Sequence, residues 1–95
     1  MTTHHTNKEI NQINSLEQLV SKSYKRVIKN MEYPLGEIDL IGVINNDCWD
    51  IYEVKTSMRG YDKAILQLNR ATKYYQKRIL NRFIYIANDG LIEKV

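Results

Sequence analysis

Ninety-five residues with 14 Lys+Arg against 11 Asp+Glu carry a net charge of +3, which fits a polyanion partner without demanding one. The single cysteine, Cys48, excludes an internal disulfide framework and a zinc finger. A hydrophobic share of 43% beside 26% charged residues is the balance of a globular chain, read as one domain over residues 1–95.

The polar N-terminus, residues 1–8, lacks the apolar stretch of a signal peptide, so the expected location is intracellular, in the cytoplasm. Residues 1–6 are expected to fray, and His4-His5 to be solvated rather than to bind metal. Thr6-Asn7-Lys8-Glu9 fits a capping box, and Ser15–Gln18 fits a second. Ile10, Ile13, Leu16, Leu19 and Val20 recur at helical spacing, which predicts a helix over 7–22, with Ser15 as the alternative start. A strand over 24–31 and a turn at Tyr33-Pro34-Leu35-Gly36 follow. A branched strand over 37–44, a loop of Asn45-Asn46-Asp47 and a returning strand over 48–55 make a hairpin. After a loop over 56–60, Ala64, Leu68, Ala71 and Tyr75 predict a long helix over 61–80. A strand over 82–87 contains the longest apolar run, far short of the ~18 residues of a membrane span, so no membrane partner is expected. Asn88-Asp89-Gly90 is a turn, and 91–95 is a final edge strand. The order α-β-β-β-α-β-β predicts an α/β sandwich around a mixed sheet of about five strands.

The hairpin carries the chemistry. Strand residues alternate faces, so Glu37, Asp39, Ile41 and Val43 are expected on one face, and Trp49, Ile51, Glu53 and Lys55 share one on the next strand. Pairing centred on Asn46 sets position 39 opposite position 53, with Cβ atoms roughly 5 Å apart. Two opposed carboxylates repel unless a hard cation lies between them; Mg²⁺ takes oxygen ligands at roughly 2.1 Å and keeps water and phosphate oxygens as its other ligands. A lysine beside it is suited to hold an attacking water or to stabilise a phosphoryl transition state. The alternative for the same residues is a solvated sheet face with Lys55 paired to Glu53. The branched and aromatic company of the pair argues against that, because charges among such residues usually have a partner or a task.

Gly36-Glu37-Ile38-Asp39-Leu40-Ile41, followed by Glu53-Val54-Lys55-Thr56, resembles the PD-(D/E)xK nuclease superfamily, and within it the small YraN-like endonucleases and archaeal Holliday-junction resolvases. The likeness covers residues 24–75 and implies a restriction-endonuclease-like fold. Ile38 stands where the family name has proline. The resemblance implies that Asp39, Glu53 and the backbone carbonyl of Val54 bind Mg²⁺, with Mn²⁺ as a substitute, that Lys55 is catalytic, and that DNA is cut to leave a 5′-phosphate. Gln67, with Tyr74-Tyr75 beyond it, resembles the glutamine helix of RecB-type nucleases, although Ala71 replaces the tyrosine of that pattern; a surface glutamine is the alternative. The family often adds a first-helix glutamate. Rise arithmetic of about 1.5 Å per helical and 3.3 Å per strand residue puts the ideal position near residue 12, so Glu9 lies closer than Glu17.

Arg70, Lys73 and Lys77 recur at i, i+3 and i+7, and with Arg59 they are candidates for phosphate contact; a solvated helix face is the alternative. Tyr33 and Tyr61 flank the site loops. Nothing resembles a base-reading module, which predicts recognition of DNA structure, junctions included. The expected protein is therefore a Mg²⁺-dependent DNA endonuclease and, given its thin core and open edge strand, a homodimer. A catalytically silent nucleic-acid-binding module and a nuclease subunit of a larger complex are the competing readings.

Overall fold

The computed structural model describes residues 6–95. The expected frayed tail and His4-His5 lie outside the described residues, apart from Thr6, which is the cap of the first helix. Its hydroxyl accepts from the Glu9 N–H at 3.1 Å, and the Glu9 carboxylate accepts from the Thr6 N–H at 3.4 Å. That reciprocal box starts α1 at Asn7 and removes Ser15 as a start. Helix α1 (Asn7–Val20) buries Ile13, Leu16 and Val20, then tightens into a 3₁₀ turn at Ser21–Ser23. Leu19, expected in the apolar stripe, is exposed.

Strand β1 (Arg26–Tyr33) sits two residues later than its pattern suggested. Tyr24 lies before it, its ring against Gly42, where a β-carbon would stand 2.3 Å from the ring. Its hydroxyl donates to Asp50 at 2.7 Å, and Asn81 donates to the other oxygen of that buried carboxylate at 2.9 Å. Strand β2 (Gly36–Asn45) and β3 (Cys48–Lys55) form the hairpin. Its turn is Asn46-Asp47, one residue shorter than expected, and an irregularity between Val43 and Asn45 absorbs the difference. Leu40 therefore faces Tyr52 and Ile41 faces Ile51, the register that centring on Asn46 predicts.

Helix α2 (Tyr61–Tyr75) is shorter than the expected 61–80. Gln76 takes φ 50°, which ends the helix, and a 3₁₀ turn at Gln76–Arg78 leads into β4 (Ile79–Ile86). The reason lies in the sheet: β4 pairs in parallel with β3 from Trp49↔Ile79 to Lys55↔Ile86, so the chain must extend from Ile79 onward. Strand β5 (Leu91–Lys94) returns antiparallel through a turn with Gly90 at φ 62°. The result is a five-stranded mixed sheet in the order β1-β2-β3-β4-β5.

Helix α1 covers one face of the sheet, against Leu40, Tyr52 and Tyr85. Helix α2 covers the other with Ala64, Leu68 and Ala71, against Ile41, Val43, Ile51, Ile84 and Ile86. Fully burying each such aliphatic chain stabilises the fold by about 1.5–3 kcal/mol. The expected α/β sandwich and its element order are thus present. Among the described residues no helix is long and apolar enough to cross a membrane.

Candidate active site

Strict alternation fails at Asp39. Ile38 packs with Ile41 and Val43 on the α2 face, so the period of two breaks between them, contrary to the expected row of residues 37, 39, 41 and 43. The break is shared by β1. Asn30, which the register sets opposite Asp39, takes φ 55°, and Ile28 and Met31 on either side of it both pack on the α2 face. Pairing of β1 with β2 resumes in the same register at Met31↔Ile38. The two irregularities cancel in register and flip the faces of both strands together.

The consequence is local to Asp39. Regular β2–β3 pairing ends at Leu40↔Tyr52, and beyond it the Val54 N–H donates to Asp39 Oδ2 at 2.8 Å. The carboxylate thus takes the place of a ladder acceptor, in the gap where the strands part. Glu53 is 2% exposed and stands on the same strand as Trp49 and Ile51 of the α2 face. The two carboxyls meet, as the hairpin arithmetic requires, but across the gap and not as neighbours on a regular face. The two side chains are close enough to share a hydrogen bond, which raises Glu53 and lowers Asp39.

Burial pushes Glu53 up to about 10, and the Asp39 charge and that hydrogen bond add to the rise. Burial also raises Asp39, against the lowering effect of the Val54 N–H. Desolvation therefore exceeds mutual repulsion, the cause that spacing suggested. Lys55 lies within electrostatic reach and favours the charged form of both carboxyls. Its stem crosses Gly60, the N-cap residue of α2; a β-carbon there would stand 2.7 Å from Lys55 Cδ and 2.9 Å from Cγ. Glycine at 60 thus fixes the lane of the lysine, which sequence reading missed.

Among the first-helix acids, Glu9 lines a cavity of about 30 Å³ together with Gln12, Ile13, Asp39 and Val54. Its carboxylate also closes the Thr6 cap. Glu17 is elsewhere, paired with Lys29 at 2.9 Å. Position 12, which the rise arithmetic singled out, holds an amide: Gln12 bonds Thr56 Oγ1 at 3.1 Å and reaches the Asp39 cavity. The search for a carboxylate passed over it. Gln67 belongs to the inner stripe of α2 with Ala64, Leu68 and Ala71, and its Oε1 is buried without a hydrogen-bond partner. Gln67 is half-buried beside the core alanines, and an unmet buried acceptor costs about 1–3 kcal/mol.

Of the basic candidates, Arg70 donates to the Leu35 carbonyl at 3.1 Å and so staples α2 to the β1–β2 turn. Lys73, Lys77 and Arg59 are exposed. Tyr33 packs on Tyr74 and Tyr75, with ring centroids 5.3 and 5.6 Å away, and Tyr61 is half-buried against the α2 core.

Among the described residues no three His, Cys, Asp or Glu side chains form a metal-binding group. The donors that the strand gap brings together are the two carboxylates of Asp39 and Glu53, both hard oxygen ligands. That set fits Mg²⁺, which commonly uses one or two carboxylates and leaves its other positions to water and substrate phosphate. It also fits the electrostatics, because two abutting carboxyls with raised pKa values are relieved by a divalent cation. Comparison with protein-family models finds no match, and comparison with curated proteins finds none either.

Proposed function

We propose that this chain is a Mg²⁺-dependent DNA endonuclease of the PD-(D/E)xK type, structure-selective in its choice of substrate. One observation carries the reading: a carboxyl pair, the buried Glu53 and the half-buried Asp39, meets where two strands part, with Lys55 beside it. A fold has no structural need to bury two acids against each other, since the pair costs stability unless something cationic binds.

In this reading Asp39, Glu53 and the Val54 carbonyl hold the ion, and Mn²⁺ substitutes for it. The ion would supply charge neutralisation and Lewis-acid polarisation of the scissile phosphate. The Val54 N–H orients the Asp39 carboxylate through a fixed hydrogen bond. The Lys55 ammonium, steered by Gly60, donates to the attacking water or to a phosphoryl oxygen and stabilises the charge that grows in the transition state. Water would attack phosphorus in line with the 3′-oxygen and give up a proton to solvent, the P–O3′ bond would break with the 3′-oxygen taking up a proton from solvent, and the 5′-phosphate would remain on the product. Basic side chains at Arg59, Lys73 and Lys77 contribute phosphate contacts from the surface.

The deciding experiment incubates the protein with Mg²⁺ and junction, flap, single-stranded and duplex DNA. Cleavage of at least one form, lost in Asp39→Asn, supports the proposal. Binding of DNA under Ca²⁺ with no cleavage of any form overturns it in favour of a silent nucleic-acid-binding module.

A further inference from the structure

A polar stripe on α1 remains outside the machinery above. Lys8, Asn11, Gln12 and Ser15 stand at i, i+3, i+4 and i+7, beside the buried stripe of Ile13, Leu16 and Val20. They form one wall of an open groove of about 470 Å³. Asn88, in the turn between β4 and β5, forms the other wall, and Tyr85 of β4 lies in the lining between them. The size is within the roughly 300–1,000 Å³ of small-ligand sites.

The chemistry of the lining is specific. Amides and a hydroxyl offer paired donors and acceptors, Lys8 adds a cation, and among the described residues the lining carries no carboxylate. Lys8 sits in the first turn of α1, at the positive end of the helix dipole, where a cation is disfavoured and an anionic ligand is favoured. Gln12 lines both this groove and the small cavity beside Asp39. The far wall is tied to the same strand end: Ala87 N–H donates to the Lys55 carbonyl at 2.8 Å, and Asn88 N–H donates to the Thr56 carbonyl at 2.9 Å.

We propose that this groove is a nucleotide subsite, holding one unpaired nucleotide of the strand that flanks the scissile phosphate. The inference rests on the nuclease reading for the position of that phosphate. Lys8 takes the neighbouring backbone phosphate, and Asn11, Gln12 and Asn88 bond the edge of the base. The edge they read is the Watson–Crick edge, which is free only in an unpaired nucleotide, so the groove selects a single-stranded or frayed segment over continuous duplex.

The test reads binding, not cleavage. A short single-stranded oligothymidylate is titrated under Ca²⁺ while the side-chain amide NMR signals of Asn11, Gln12 and Asn88 are followed. These signals are expected to shift together, and a fully paired duplex is expected to leave them in place. Lys8→Ala should reduce the salt slope of binding by about 0.7. Asn11→Asp and Asn88→Asp, both at exposed positions, place a carboxylate in the groove and should weaken binding about tenfold or more. Asn88→Ala, with an unchanged melting temperature, controls for folding. Unmoved amides, equal shifts with duplex, or full affinity in both Asp variants would overturn the subsite. Groove shifts in a protein that cuts no DNA uphold the nucleotide site and sink the nuclease reading. Cleavage with unmoved groove amides does the reverse.

Discussion

The Asp39–Glu53 carboxyl pair, with Glu53 buried, makes the metal-free protein sensitive to pH in an uncommon direction. Glu53 titrates at 4.5 when free and is pushed up to about 10 in the fold, and Asp39 shifts the same way. Between those two values the folded state holds a proton at Glu53 that the unfolded chain has released. Stability from this group is fully present below about pH 4.5 and is lost as pH rises toward 10, by about 1.4 kcal/mol per pH unit. From about pH 5.5 to 7.5 the loss is about 3 kcal/mol. A domain of this size has roughly 5–14 kcal/mol in all, so the melting temperature should fall on the order of 10 °C over that range. The assay is thermal or urea unfolding in EDTA at a series of pH values, for wild type and Glu53→Gln. The glutamine keeps the shape and removes the titration, so the variant should show a flatter profile and exceed wild type in stability near neutral pH. Acids outside the pair contribute equally to both proteins and cancel, so the difference reports the coupled Asp39–Glu53 titration. Parallel profiles would refute the reasoning, because they would mean that Glu53 ionises in the fold as easily as outside it.

Four further outcomes follow from the same geometry. Millimolar Mg²⁺ or Mn²⁺ at neutral pH should raise the wild-type melting temperature by linkage and leave that of Asp39→Asn unmoved; equal responses would remove the ion from this site. Gly60→Ala puts a methyl into the lane of Lys55, so cleavage should fall on the order of 100-fold with little change in DNA affinity, and Lys55→Ala should fall at least as far; undiminished cleavage in both would take the lysine out of the mechanism. Tyr24→Phe removes the donor to the buried Asp50 and should cost about 1.5–3 kcal/mol in urea denaturation, and a silent substitution would show that Asn81 alone satisfies the carboxylate. Light scattering should give a homodimer, in keeping with a short chain whose sheet ends in two open strands, β1 and β5; a monomer at high concentration, with and without DNA, would end that expectation.

The sequence alone determined what local rules govern. The run of branched residues around Leu40 and the returning branched and aromatic run around Tyr52 marked strands, the 3.6-residue spacing of Ala64, Leu68 and Ala71 marked α2, and Thr6 with Glu9 marked the start of α1. The register that sets Leu40 opposite Tyr52 also came from local arithmetic, since a tight hairpin sets its own register and the shorter turn was offset by a nearby irregularity. Tertiary structure decided the rest. The end of α2 at Tyr75 answers to the pairing of β4 with β3, which no helical propensity records. The positive φ of Asn30 and the face flip at Asp39 occur together on two strands, so neither strand's pattern announces them. Glu9 and Glu17 look alike on a helical wheel, yet Glu17 meets Lys29 while Glu9 borders the Asp39 cavity, because helix–sheet contact selects the side. Gly60 reads as an ordinary loop glycine until the Lys55 stem is laid across it. Burial and charge perturbation depend on which distant segments exclude water, and that is a property of the packed chain rather than of any stretch of it.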